Sequence, residues 1–159
     1  MSDRGFEDAG LLGRLARAGS SSAAEALFPK NAEGAPDFEQ TAIAPRLGRY
    51  LVDLPPETRR LILLLFCLIE LIPLFLGRFR RFSRLPVETR LRLVQSWRGS
   101  SIYPVRVVGE SVKAVLSMMY LSHPDALRFM GAYTVSPRPG DGLEVRRERL
   151  AVLSEERAR

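Results

Sequence analysis

Two stretches of the chain are written almost alike: Leu54–Ile62 reads LPPETRRLI, and Leu85–Leu93 reads LPVETRLRL. In each, proline falls where a helix begins, and its missing N–H would have no partner there in any case. A glutamate follows in the first turn, where the positive end of the helix dipole favours an acid. The leading leucine can contact the next turn as a hydrophobic staple. We interpret the repeat as two helix starts and not as a duplicated catalytic site.

The helix after the first start is apolar on all sides. Its sixteen residues 61–76, LILLLFCLIELIPLFL, contain one charge, Glu70, and are followed by the basic stretch RFRRF. This is shorter than the roughly twenty residues that span a bilayer, and Pro73 interrupts it. A helix of this kind is buried in a core, under a partner or in lipid. In a domain this small, we expect one side to face its own helices and the other to face a partner or a membrane.

The remaining pattern is also helical. Residues 86–98 are amphipathic, and residues 102–121 form a long helix that is apolar over more than half its circumference. A short helix restarts at Pro124 and stops at Gly131. Residues 38–53 are predicted as a helix pair broken near Pro45. Since no stretch shows the alternation of a strand, we predict an all-α fold, a small irregular bundle of four to five core helices.

Composition divides the chain into three parts. Residues 1–37, rich in Gly, Ser and Pro towards their end, are predicted as a loosely ordered arm, and residues 38–133 as the helical domain. Residues 134–159 read as a linker, SPRPGDG, followed by a charged helix. We expect both terminal segments to be extended and mobile.

The net charge of +6 comes from arginine, with Lys30 and Lys113 as the only lysines. The arginines are scattered, mostly beside acids, and no lysine-rich tract or aromatic RNA-binding motif accompanies them, so we do not expect a nucleic-acid partner. The first residues carry acids and lack a continuous apolar stretch, unlike a signal peptide. The expected location is the cytoplasm or the cytoplasmic face of a membrane.

No motif in the sequence carries catalysis. A nucleotide-binding glycine loop, an HExxH pair and a spaced metal-ligand cluster are all missing from the 159 residues. The single cysteine, Cys67, lies in an apolar run and is expected to be a buried small hydrophobe. The single histidine, His123, precedes a proline and is expected to cap a helix. We therefore assign no catalytic, cofactor-binding or metal-binding residue; a stand-alone enzyme using Glu70 or His123 is the weakest hypothesis.

Two charged residues stand in apolar surroundings. A lone ionised carboxylate in an apolar helix would cost several kcal/mol, so we predict that Glu70 is buried and paired with a guanidinium from Arg59, Arg90 or another chain. Arg90 lies inside the apolar stripe of its own helix. It either packs its stem on Trp97 with the charge in water or is buried against a carboxylate; the first is the preferred interpretation.

The segment Phe82–Tyr133, FSRLPVETRLRLVQSWRGSSIYPVRVVGESVKAVLSMMYLSHPDALRFMGAY, resembles a known family. The pattern is F-x-x-L-P-x-E-x-R, a tryptophan, a long apolar helix and an aromatic-bearing D-P-x-x-W-x-x-x-G-Y. The matching residues are Phe82, Leu85, Pro86, Glu88, Arg90, Trp97, His123, Pro124, Asp125, Gly131 and Tyr133. The chain departs from this pattern at two positions: Phe129 lies near the usual tryptophan position, and Ala132 is inserted between Gly131 and Tyr133. The segment is similar to gluconate 2-dehydrogenase subunit 3 and to the helical module before the flavin domain of long-chain alcohol oxidases.

This resemblance implies a non-catalytic accessory subunit. Its partner would be a large flavin subunit of the glucose-methanol-choline oxidoreductase type, which holds the FAD and acts on an alcohol, sugar or sterol-like substrate near a membrane. The alternative hypothesis is a peripheral membrane protein with no oxidoreductase partner, because arginines follow the apolar run. For either surface, the candidate interface residues are Leu64, Phe66, Leu68, Leu71, Leu74, Phe75, Phe79, Met118, Met119 and Tyr120.

Overall fold

The computed structural model describes residues 4–30, 34–75 and 80–131. Within these residues the chain forms seven α-helices, one 3₁₀ turn and no strand, which confirms the all-α prediction. The helices are α1 (Arg4–Glu7), α2 (Gly10–Leu27), α3 (Ile43–Asp53), α4 (Pro56–Pro73), α5 (Val87–Arg98), α6 (Tyr103–Leu121) and α7 (Pro124–Phe129), and the 3₁₀ turn is Phe82–Arg84. Residues 132–159, which include the predicted linker and charged helix, lie outside the described part.

The repeated stretches both begin helices, as predicted. Pro55 precedes α4, whose first residue is Pro56, and Glu57 lies in its first turn. Pro86 precedes α5 in the same extended conformation, and an acid again follows in the first turn. The leucine before the second start is buried, and the leucine before the first packs against the core. The repeat therefore reflects one local solution used twice.

The segment predicted as a loosely ordered arm contains the central helix. α2 contacts α3, α4, α5 and α6, and its buried residues are mostly glycine, alanine and serine. At Gly19 a β-carbon would collide with the backbone carbonyl of Phe66 in α4. Small side chains allow two helices to approach this closely. The prediction was wrong for Gly10–Leu27 because residues typical of a linker also suit a tightly packed helix.

The predicted helix pair in 38–53 is a turn followed by one helix. Asp37 Oδ1 accepts the backbone N–H of Gln40 at 2.8 Å, and Gln40 Oε1 accepts the N–H of Asp37 at 3.0 Å. This is the reciprocal arrangement of a capping box. Pro45 falls in the first turn of α3 and does not break it, because an N–H at that position would have no intrahelical partner.

The later helices begin and end close to the predicted positions. α5 and α6 each start one residue after the predicted start. His123 caps α7, since its Nδ1 accepts the backbone N–H of Asp125 at 3.3 Å. Gly131 follows α7 with a φ of 68°, a left-handed conformation that glycine adopts without strain. The core contains large side chains from α3, α4, α5 and α6 around the small residues of α2.

Candidate functional site

Glu70 is buried, as predicted, but it does not contact a guanidinium among the described residues. Its side chain is 1 % exposed. Oε2 accepts the backbone N–H of Ser83 at 3.0 Å, and Oε1 accepts the Ser83 hydroxyl proton at 2.5 Å. Pairing with Arg59 or Arg90 was a wrong prediction. The 3₁₀ turn that follows the apolar helix brings donors to the carboxylate instead.

The two arginines expected near Glu70 bind other acids. Arg90 is 5 % exposed, and its guanidinium lies 2.8 Å from Glu25 Oε2 while donating to the Ser22 carbonyl oxygen, also at 2.8 Å. The preferred interpretation, an arginine with its charge in water, was therefore wrong. Arg59 lies 3.5 Å from Asp8. Glu25 and Asp8, the two acids, both belong to residues 1–37, which were predicted to be a loosely ordered arm outside the core.

The side chains with possible catalytic chemistry take part in structural contacts. Cys67 is buried, its Sγ lies 3.1 Å from the Leu12 carbonyl oxygen, and burial raises the pKa of the thiol above its ordinary value. His123 caps α7, and burial together with the nearby Arg46 lowers its pKa. In residues 4–30, 34–75 and 80–131, no group of His, Cys, Asp and Glu side chains is placed to hold a metal ion. The geometry at these side chains indicates structural roles.

The outer face of α4 is apolar and exposed. Four residues at helical spacing form a stripe, here called the α4 stripe: Leu61, Leu64, Leu68 and Phe75. Phe75 is 83 % exposed. Because Glu70 points inwards, the stripe has no charged side chain between its first and last residue. A helix with an exposed apolar face of this length marks a surface for a partner or for lipid.

The predicted interface residues divide between surface and interior. Leu64, Leu68, Leu74, Phe75 and Met118 are exposed. Phe66 and Met119 belong to the buried core, so their place among the interface candidates was wrong. Leu71 is half-buried, and Tyr120 stacks on Phe28 with ring centroids 4.3 Å apart. Phe79 lies outside the described residues.

An apolar groove of about 570 Å³ opens between the end of α4, the end of α5 and the start of α6. Its lining residues are Leu68, Ile72, Phe75, Leu93, Ser96, Trp97, Ser100, Ile102, Pro104, Val105 and Val108. Most of these residues were missing from the predicted interface. The wide apolar arc of α6 was a signal for them, but the groove exists only where three helices converge.

A cluster of arginines lies next to the groove. Leu74, Arg80, Arg81 and Arg84 line a second recess, of about 780 Å³. Arg80, Arg81 and Arg84 are here called the arginine cluster; all three are exposed. Within the described part of the chain, no ion pair joins any of them to a carboxylate. Leu74 lines the recess, and the next residue, Phe75, lines the groove. The recess and the groove are therefore neighbours on the surface.

None of the helices in the described residues is both long and apolar enough to cross a membrane. Comparison of the chain with protein-family models, with curated proteins and with solved structures finds no match.

Proposed function

We propose that this protein is a non-catalytic accessory subunit that binds a larger catalytic subunit through the apolar groove. The observation that carries the proposal is the groove itself, whose lining is almost entirely aliphatic and aromatic. Exposed apolar patches on small proteins mark interaction sites. A few anchor residues of a partner, most often aromatic, account for most of the binding energy when they fill a recess at an interface.

The rim of the groove adds to the apolar surface. Ile102 and Tyr103, at the start of α6, are 61 % and 68 % exposed, and Val107 is exposed one turn further along. Phe75, two residues after the end of α4, lines the same groove. This surface is built by three helices that also contribute to the core, so its shape is set before a partner binds. Preorganisation of this kind lowers the entropic cost of association.

We further propose that the partner is a flavin-dependent dehydrogenase or oxidase of the glucose-methanol-choline type. This identity depends on the resemblance of Phe82–Tyr133. Phe82, Leu85, Arg90 and Trp97, four of the residues that carry the resemblance, are buried. Phe82, Leu85 and Arg90 support the helical module from inside, and Trp97 also lines the groove, so we assign the contact with a partner to the groove and its rim. In this proposal FAD is bound by the partner and not by this chain.

A non-catalytic role is supported by the contacts of the reactive side chains. The Cys67 thiol is buried beside a backbone carbonyl, and the Glu70 carboxylate is occupied by Ser83. His123 uses its Nδ1 to cap α7. Cys67 and Glu70 thus each join two segments of the chain, and His123 stabilises the start of α7.

Purification of the tagged full-length chain from its native cells tests the proposal. We expect a larger subunit to co-purify, with flavin absorbance in the eluate and a mass-spectrometric identity of the expected oxidoreductase class. Ile102→Asp should release that subunit without unfolding the chain, because Ile102 is exposed at the groove. Val52→Asp, at an exposed valine of α3, is the matched control and should retain it. A colourless monomer, or a complex indifferent to Ile102→Asp, would reject the proposal.

A further inference from the structure

Two residues of the α4 stripe, Leu68 and Phe75, line the groove, but the rest of the stripe and the arginine cluster are not used by the proposed contact with a catalytic subunit. Leu61 and Leu64 are exposed and do not line the groove, and neither do the three arginines. Arg60 is exposed at the other end of the stripe. The outer face of α4 is thus a row of apolar side chains with the arginine cluster at one end and the exposed Arg60 and Glu57 at the other.

The exposed arginine cluster differs from the buried and half-buried arginines of the described chain in its contacts. Arg46 donates to the Met119 carbonyl oxygen, Arg90 contacts Glu25, and Arg98 contacts Glu110. Arg80, Arg81 and Arg84 line a polar recess without an acid of the described chain as partner. Three adjacent exposed guanidinium groups form a positively charged surface suited to phosphate oxygens.

We propose that this face docks on the surface of an anionic phospholipid bilayer, with α4 lying in the plane of the membrane interface. The stripe from Leu61 to Phe75 is about 21 Å long at 1.5 Å per residue, too short for the roughly 30 Å of a bilayer core. Leu61 and Leu64, which do not line the groove, enter the boundary between headgroups and acyl chains, and the arginine cluster binds lipid phosphates. Basic residues beside an apolar helix face are the signature of interfacial binding.

Charge and apolar surface together select lipid over the other polyanions. A nucleic acid or an acidic protein segment would neutralise the arginine cluster but would leave Leu61 and Leu64 in water. An anionic bilayer supplies both phosphate groups for the arginine cluster and acyl chains for the leucines at a single surface. The proposal does not depend on the identity of the catalytic partner.

Flotation of the purified full-length chain with lipid vesicles tests the proposal. Vesicles of phosphatidylcholine alone are compared with vesicles of equal parts phosphatidylcholine and phosphatidylglycerol. We expect binding to the anionic vesicles only, and its loss in high salt, because screening weakens attraction between exposed charges and headgroups. Equal binding to both vesicle types, or no binding to either, would overturn the proposal.

A triple variant and its matched control test whether the arginine cluster is the part of the surface that binds lipid. Replacing Arg80, Arg81 and Arg84 by Gln should weaken vesicle binding on the order of 100-fold, since each basic residue near an anionic surface contributes about fivefold. The control replaces Arg14, Arg49 and Arg92 by Gln, which removes the same charge from other exposed sites. We expect the control to retain most of the affinity. An equal loss of vesicle affinity in both triple variants would mean that binding depends on net charge alone, and it would reject the arginine cluster as the binding site.

A second pair of variants tests whether the apolar side chains of α4 enter the membrane surface. Leu64→Asn should weaken vesicle binding by roughly fivefold to tenfold, as expected for one leucine withdrawn from the interface. Leu121→Asn changes a leucine of similar exposure at the end of α6 and should leave binding unchanged. Both residues are exposed, so both variants should fold, which circular dichroism checks. Unchanged binding of Leu64→Asn would show that α4 does not enter the membrane surface.

Discussion

The carboxylate of Glu70 holds Ser83 by two hydrogen bonds, one from the backbone N–H at 3.0 Å and one from the hydroxyl at 2.5 Å. The two residues lie thirteen positions apart in the chain. The contact fastens the 3₁₀ turn to the last turns of α4. Since Arg81 and Arg84 flank Ser83, the same buried carboxylate also positions the arginine cluster.

Glu70→Gln should lower the free energy of unfolding by about 1–3 kcal/mol, the usual cost of leaving a buried polar group unsatisfied. An amide has one acceptor oxygen, so it cannot accept both donors of Ser83 in the same geometry. Chemical denaturation measures the change. Glu57→Gln, at an exposed acid in the first turn of α4, is the control and should cost under about 1 kcal/mol. A Glu70→Gln variant as stable as the unmodified protein would show that the carboxylate is solvated.

The pair formed by Arg90 and Glu25 should respond unequally to the loss of each partner. Arg90 is buried, whereas the Glu25 side chain is 39 % exposed. Glu25→Ala leaves a buried cation with the Ser22 carbonyl oxygen alone, and we expect a loss of about 3–5 kcal/mol. Arg90→Met leaves a carboxylate that can turn to water and keeps an apolar stem in the site, so its cost should be smaller. Denaturation of both single variants decides the order; the reverse order would contradict the buried position of Arg90.

Gly19→Ala should destabilise the protein by about 1–2 kcal/mol, although the same change in an open helix is stabilising by about 1 kcal/mol. The added β-carbon meets the Phe66 carbonyl oxygen, and backbone cannot move aside as a flexible side chain can. Thermal and chemical denaturation measure the change. Ser21→Ala, at a half-buried position of the same helix, should stay within about 0.5 kcal/mol. A stabilising effect of Gly19→Ala would mean that α2 and α4 are farther apart than described.

His123 should titrate below its ordinary pKa of 6.5, because burial and the nearby Arg46 disfavour the charged ring. It is the single histidine of the chain, so its NMR signals are unambiguous. The folded pKa lies below the unfolded one. The contribution of His123 to stability is therefore complete above pH 6.5 and is lost as pH falls through the folded value.

The control for this titration is His123→Asn, which can still cap α7 but has no charge to gain. Its stability should fall less on acidification than that of the unmodified protein. An NMR midpoint at or above 6.5 would contradict the half-buried, capping position of the ring.

Local features of the structure follow from short stretches of sequence. The starts of α4 and α5 follow from Pro56, Pro86 and the acids that come next, because a helix start depends on groups within one turn. The stop at Gly131 and the cap at His123 are equally local. The burial of Glu70 was also predictable, since it lies in an apolar run that a helical core must cover.

Tertiary structure alone decided which groups meet. Ser83 and not an arginine reached Glu70, and Glu25, sixty-five positions away, became the partner of Arg90. α2 became the central helix because its glycines and alanines fit against the backbone of α4, a property that composition does not separate from that of a linker. The groove belongs to three helices at once. Such features depend on distances between segments far apart in sequence, which helix periodicity does not contain, whereas helix starts and stops depend only on neighbours along the chain.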